Sequence, residues 1–310
     1  MNKQLLGQFY TTTDPFSDSD AFSDWFKLVP KDETTLEPFA GAGHLFSYVN
    51  RSWKGYDLEP NHPNVEQRDT LKDFPTGYRV CITNPPYLAK TVVSRKKLPV
   101  QLVHEDLYLD ALQKCLDHCE YVAAIIPSTF WNQALFKNRL YAWDKFDMKL
   151  FSDTDAPVGV AYFVPHNVDT TRTFVNGKEI HLNANNTPIR TKFPVIFNPK
   201  DLSPYLVVGI DTISKNDIHI RRLNVNDIPD LINDKFECKG TNRSIFPIKC
   251  DYLRDEDLPK INELINRWRE DTNDFFLTSY KSCMKCGKYR KRISFIEIKW
   301  ILNNYYSILC

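Results

Sequence analysis

The chain has 310 residues, of which 42% are hydrophobic and 25% charged, with 40 Lys+Arg against 39 Asp+Glu. This is the balance of a soluble globular protein long enough for two domains of about 150 residues each. No apolar run reaches the roughly 18 residues that crossing a bilayer requires. The start, Met1-Asn2-Lys3-Gln4, has no apolar signal core, so a cytoplasmic protein without membrane contact is expected.

Eight cysteines in this length are not a disulfide framework, and a reduced state is expected. The charge is uneven along the chain. Residues 1–166 carry 17 Lys+Arg and 21 Asp+Glu, whereas residues 167–310 carry 23 and 18. A mildly acidic first half and a basic second half fit an enzyme whose second domain grips phosphates.

In chain order, Leu6-Gly7-Gln8-Phe9-Tyr10-Thr11-Thr12 forms an N-terminal arm with two aromatics. Asp14 to Ser23 reads as a helix entry, with Ala21, Phe22, Trp25, Phe26 and Leu28 as the apolar face and Pro30 as the stop. Thr34 to Phe46 reads as strand, glycine turn and helix start. Gly41 and Gly43 let the backbone approach a ligand where a Cβ would collide. A third glycine is missing, which argues against a pyrophosphate ligand.

Ser52 to Pro60 reads as a second strand ending in an acid, and Asp57 is placed to accept ribose hydroxyls. Gln67-Arg68-Asp69-Thr70 follows; by residue type alone Asp69 is a helix cap.

Tyr78 to Ile82 reads as a buried strand, and Thr83-Asn84-Pro85-Pro86-Tyr87 follows it. Two prolines fix φ twice and remove two donors, and Asn84 is pushed out of the α region. A stiff corner results at the carboxyl end of a strand, where open α/β sheets bind ligands. An amide and a ring on such a corner suit the holding of a planar amine. Leu88 to Lys97 shows no clear period and is read as a mobile loop, with Lys90, Arg95, Lys96 and Lys97 contacting a phosphate backbone or simply solvated. Asp106 to Leu116 is helical by period. Tyr121 to Pro127 reads as a strand, Ser128 to Trp131 as a helix start, and Met148 to Phe151 and Val158 to Val164 as two further strands. The expectation is an α/β fold with a right-handed, Rossmann-like, doubly wound sheet of about six strands.

Asn-Pro-Pro-Tyr, with the glycine loop Glu37-Pro38-Phe39-Ala40-Gly41-Ala42-Gly43 before it and Gly7-Gln8-Phe9-Tyr10-Thr11 at the start, resembles the motif set of S-adenosylmethionine-dependent N6-adenine DNA methyltransferases in their gamma order. Thr12 departs from the family's usual proline. The resemblance covers about 165 residues. It implies S-adenosylmethionine as cofactor, held by Tyr10, Thr11, Glu37, Pro38, Ala40, Gly41, Gly43, Asp57, Leu58, Asp69 and Asn84, with Glu37 facing the ammonium group and Asp69 the adenine amine. It implies catalytic roles for Asn84, Pro85, Pro86 and Tyr87, no metal for the transfer, and a base flipped out of duplex DNA in a restriction–modification-like setting. Phe151 is the nearest candidate for an aromatic on the far side of that base, a role left open.

From about residue 166 the alternation stops. Residues 172–182 look like a hairpin around Asn176-Gly177. Residues 166–310 are read as a mixed α+β target-recognition domain, and residues 1–165 as the catalytic domain. Lys285, Lys288, Arg290, Lys291 and Arg292, interleaved with Tyr280 and Tyr289, form the best phosphate-contacting patch. Cys283 and Cys286 make one half of a zinc knuckle, with Cys238 and Cys250 as distant partners; the alternative is an ordinary turn. Rival functions are a methyltransferase acting on RNA or a protein glutamine, and a non-catalytic DNA-binding module. A monomer is compatible with all of these.

Overall fold

The computed structural model describes residues 11–98, 101–152, 154–201, 203–227 and 244–309. The chain divides into two compact units, 1–180 and 181–310.

The first unit is built on a mostly parallel sheet. Among the described residues its strands are β1 (Thr35–Glu37), β2 (Trp53–Asp57), β3 (Val65–Gln67), β4 (Val80–Thr83), β5 (Tyr121–Pro127), β6 (Leu140–Lys145), β7 (Val158–Phe163), β8 (Arg172–Val175) and β9 (Lys178–Ile180). Their order is 3-2-1-4-5-7-6-8-9. β1 pairs in parallel with both β2 and β4, so the winding reverses between β1 and β4. This is the doubly wound α/β arrangement expected, and it puts a crevice at the carboxyl ends of β1 and β4. β1 and β4 are buried along their whole length, as parallel strands covered on both faces must be. β7 runs antiparallel between β5 and β6.

The helices are α1 (Asp20–Leu28), the single turn α2 (Leu45–Tyr48), α3 (Lys90–Lys96) and α4 (Leu107–His118). Ser19 caps α1 by accepting from the Phe22 N–H at 3.2 Å. Trp25 is fully buried and donates from Nε1 to the Phe163 carbonyl. Leu28, expected on the apolar face, is exposed. α4 starts at its cap Asp106 and buries Leu109, Leu112 and Leu116 as the period required.

Three expectations change. Residues 90–96 are a helix and not a loop: Val93 is buried, Lys97 closes the helix in the left-handed region at φ 50°, and Arg95 and Lys96 lie in its last turn, where cations are favoured. The strand expected at 148–151 lies at 140–145 instead. Its buried Asp144 and Lys145 disguise it as polar; Phe151 lies outside the named strands and bridges to Thr11. Finally, the hairpin around Asn176-Gly177 belongs to the first unit, because β8 pairs in parallel with β6. The boundary therefore falls at 180/181 and not at 165/166.

That hairpin is fastened to α1 through Asp144, which is fully buried. One Asp144 oxygen accepts from Ser19 Oγ at 2.8 Å and the other from the Gly177 N–H at 2.9 Å. Burial pushes its carboxyl up to about 6 against these two hydrogen bonds.

The second unit packs a four-stranded sheet of β10 (Ile196–Phe197), β11 (Tyr205–Val208), β12 (His219–Arg222) and β13 (Ile245–Lys249) against α5 (Leu258–Asp271) and α6 (Phe295–Leu309). A hairpin, β14 (Thr278–Cys283) and β15 (Tyr289–Arg292), completes it. Arg269, almost fully buried, holds Asp211 through two bonds of 2.9 Å and also reaches Asp274. No helix among the described residues is long and apolar enough to cross a membrane.

Gly177 has φ +78°, and a Cβ there would lie 2.7 Å from Ser19 Cα and 2.8 Å from the Asp18 carbonyl oxygen. Gly177→Ala is expected to lower stability by about 2 kcal/mol or more, from left-handed strain plus the clash, read as a drop in the urea midpoint.

Candidate functional site

The carboxyl ends of β1 and β4 carry the two segments singled out in the sequence. After β1 the chain turns through Pro38 to Gly43, with Gly41 at φ 50° and Gly43 at φ 68°. The turn is tied down from below. Ala40 N–H donates to the Tyr56 carbonyl at 2.8 Å, and Gly41 N–H to Asp57 Oδ2 at 2.8 Å. The other Asp57 oxygen accepts from the Glu59 N–H at 2.8 Å. Asp57 therefore braces the turn with one oxygen and its own strand exit with the other.

Glu37 is 2% exposed at the end of β1, and its Oε2 has no hydrogen-bond partner. Burial, and then the charge of Asp57, hold its carboxyl well above the usual range. A buried carboxylate oxygen without a donor costs free energy that a ligand cation can recover. The residues present thus fit the cofactor that the motifs imply. Glu37 could meet an ammonium, the glycine turn leaves room for close backbone approach, and Leu58 offers an exposed apolar surface at 46%.

Asn84 is half-buried at the end of β4 and is not turned into the core. Its Nδ2 donates to Thr11 Oγ1 at 3.2 Å, and its Oδ1 accepts from the Tyr87 hydroxyl at 2.7 Å. That hydroxyl also lies 2.7 Å from the Ile125 carbonyl on β5. One phenolic proton cannot serve both acceptors fully, and a carbonyl cannot donate. The hydroxyl therefore divides its proton between Ile125 and Asn84. Tyr87 is held at its tip, and burial pushes its hydroxyl well above the usual range. Its ring meets Tyr108 and Phe151 edge-on, with centroids 6.2 and 6.3 Å away.

Thr11, Asn84 and Tyr87 form one cluster, while Glu37, Gly41 and Asp57 form another on the neighbouring strand. Pro85 is buried and Pro86 half-buried on the corner between Asn84 and Tyr87. Asp69 is less committed: it pairs with Lys72 at 2.9 Å in a turn after β3, and its side chain is 32% exposed. Tyr10 lies outside the described residues.

Three partners were not anticipated. Thr70 Oγ1 donates to the Pro38 carbonyl at 2.8 Å, and the Tyr48 hydroxyl to the Thr11 carbonyl at 3.3 Å. The third is the Ile125 carbonyl, a backbone group that leaves no mark in a sequence. Thr70 is the one with a signal, since it follows Asp69 within the same motif.

The expected phosphate contacts fare unequally. Lys90 reaches Glu105 at 3.6 Å, and Lys96 and Lys97 are exposed, as is Arg95. In the second unit Lys285 and Lys288 are exposed. Lys291 is 3% exposed, and its ammonium donates to Ser279 Oγ at 3.1 Å, so it faces the interior and cannot meet a phosphate. Arg290 donates to the Asp211 carbonyl and stacks over Tyr280; Arg292 is half-buried. Among the described residues no group of three or more His, Cys, Asp or Glu side chains could hold a metal ion. Cys238, one partner of the considered zinc site, lies outside the described residues.

Neither a protein-family model nor a curated protein matches the chain. Solved structures resemble it in part. The methyltransferase subunit of a type I restriction-modification system from Streptococcus thermophilus is 16% identical, over 58% of this chain and 50% of that one, with a TM-score of 0.41. The type IIG restriction endonuclease BpuSI is 16% identical over 54% and 27%, with a TM-score of 0.40. The M protein of the type I restriction enzyme EcoKI is 15% identical over 47% and 44%, with a TM-score of 0.35. The chain spans half the length or less of these three structures. Likeness of this extent fixes neither activity nor partner.

The strain at Glu37 has a sign that can be measured. Its folded pKa lies above the unfolded one, so its contribution is fully present at low pH and is lost as pH rises through the folded pKa. Glu37→Gln should leave the melting temperature nearly unchanged at pH 4 and raise it at pH 8. Equal melting temperatures at pH 8 would mean that the carboxylate is satisfied after all.

Proposed function

We propose that this chain transfers a methyl group from S-adenosylmethionine to the N6 amine of an adenine flipped out of duplex DNA. The observation that carries the reading is the pairing of a buried, unpartnered Glu37 beside a braced glycine turn with a rigid Asn84 corner on the adjacent strand. The motif order along the chain supports it. When bound, the cofactor supplies an electrophilic methyl on a sulfonium.

In this reading Glu37 binds the ammonium of the cofactor, Asp57 the ribose hydroxyls and Leu58 the adenine face; Pro38, Ala40 and Thr11 shape the same pocket. Asp69 meets the cofactor's adenine amine after exchanging its contact with Lys72. Asn84 Oδ1 and the Pro85 carbonyl accept hydrogen bonds from the target amine. An aromatic amine is a weak nucleophile because its lone pair is delocalised into the ring. Two acceptors favour a more tetrahedral nitrogen and aim that lone pair. Positioning of this kind supplies much of a rate enhancement. Tyr87 stacks on the base, and the bonds of its hydroxyl fix the ring plane. Extrusion of the base costs a few kcal/mol, offset by this stacking. Lys90, Arg95, Lys96, Lys97, Lys285, Lys288 and Arg292 remain candidates for phosphate contacts, and a restriction–modification setting is the expected context.

Asn84→Ala should reduce methyl transfer to DNA by about 10²-fold or more, with cofactor affinity changed by less than a few-fold. Transfer of a radiolabelled methyl to DNA, RNA and protein, alongside calorimetry with the cofactor, reads both quantities. A variant that methylates normally, or a wild type that labels only RNA or protein, would sink the assignment. Asp57→Ala should instead weaken cofactor binding.

A further inference from the structure

The sheet of the second unit ends in the short edge strand β10. Ile196 on β10 lies opposite Lys249 on β13, and opposed residues in an antiparallel pair project to one face. Ile196 is 56% exposed there. Lys192 approaches from the segment before β10, and Lys299 from α6. With Phe193, Pro194 and Val195 these residues line a cavity of about 220 Å³, whose rim carries one acid, Asp251.

Among the described residues, none of the three lysine side chains makes an ion pair or hydrogen bond. Five other cations of this unit are engaged within the fold. Arg221 holds Asp227, Arg222 holds Asp255, Arg267 holds Glu263 and Arg269 holds Asp211; Lys291 is buried against Ser279. Residues 181–310 carry 21 Lys+Arg against 16 Asp+Glu, and a share of that excess converges on this cavity. Three cations around one acid leave a net positive charge whose members repel one another, and an anion relieves that repulsion.

We infer that this cleft receives the sugar–phosphate backbone of duplex DNA, with phosphate at Lys192, Lys249 and Lys299 and the apolar sugar edge against Phe193, Pro194 and Ile196. The inference rests on the DNA-directed reading above and moves the main phosphate grip of this unit away from the β14–β15 hairpin. Lysine is a point charge without a directional fork, which suits backbone contact without base readout.

The test uses the full chain and a fluorescently labelled duplex of arbitrary sequence, titrated by anisotropy at several salt concentrations. Lys192→Gln/Lys249→Gln alters only exposed residues; Lys299→Gln is added in a triple variant. Each lost contact should lower the slope of log affinity against log salt by about 0.9, hence by about 2.7 in the triple variant. Affinity at low salt should fall on the order of tenfold, with cofactor binding unchanged. Variants that keep the wild-type affinity and slope would overturn the cleft while leaving the DNA reading intact. A wild type that binds no duplex and methylates no DNA would overturn both. Variants that lose binding of polyglutamate but keep the duplex would assign the cleft to an acidic protein instead.

Discussion

Two carboxylates lie beneath one glycine turn, and only one of them is satisfied from within. The pairing of β1 with β2 brings Glu37 and Asp57 together at neighbouring strand ends, 2% and 4% exposed. Asp57 takes its donors from the Gly41 and Glu59 amides. Those bonds shape the turn but leave Glu37 Oε2 bare. Ionising a buried carboxyl beside another anion is a liability to folding. It becomes an asset only when a cation arrives that also needs removing from water. The placement of the turn, the exposure of Leu58 and the corner at Asn84 gain meaning from that one unsatisfied oxygen.

Asp144 shows what the same residue class does when it is purely structural. It is as buried as Glu37, and burial raises its carboxyl too. Both of its oxygens, however, are hydrogen-bonded, one to the capping hydroxyl of α1 and one to the Asn-Gly turn. It joins an N-terminal helix to the last hairpin of the sheet across more than 120 residues of chain. Burial alone therefore does not separate a binding group from a fastening. The inventory of donors around it does, because an unmade bond in the interior costs more than a made one gains.

The parallel half of the sheet was legible because its strands are continuous apolar runs that end in turn residues. Tyr121 to Pro127 was read with its true bounds, and the corner at Asn84 follows from two prolines and nothing else. The Asn176-Gly177 hairpin was also legible, since both residues adopt the positive φ its turn demands. What failed did so for physical reasons. β6 contains Asp144 and Lys145, polar residues in buried positions, so no hydrophobic pattern marks it. α3 has too few apolar residues to show a period and owes its place to one buried valine and its capping. The affiliation of β8 and β9 depends on a long-range parallel pairing with β6 that no local signal encodes. Within the site, Thr11, Asn84 and Tyr87 lie in one hydrogen-bonded group and Gly41 and Asp57 in another, Asp69 pairs with Lys72 instead, and the backbone acceptor at Ile125 could not be foreseen.

Charge is where sequence and structure part most sharply. A run such as Lys288 to Arg292 reads as one basic surface, because a sequence shows the charge and not its direction. β15 alternates instead: Tyr289 and Lys291 point inward, and Arg290 and Arg292 are half-buried. A β-strand cannot present consecutive residues to one face, so a dense basic run on a strand halves itself on folding. Lys192, Lys249 and Lys299 make the opposite case. They are more than a hundred residues apart at the extremes and invisible as a motif, yet strand pairing and a packed helix bring them to one cavity that holds a single acid, Asp251. For a domain that must hold a polyanion, the unpaired cation in a concavity is a better guide than the cation count, since only a charge not already neutralised within the fold is available to a partner.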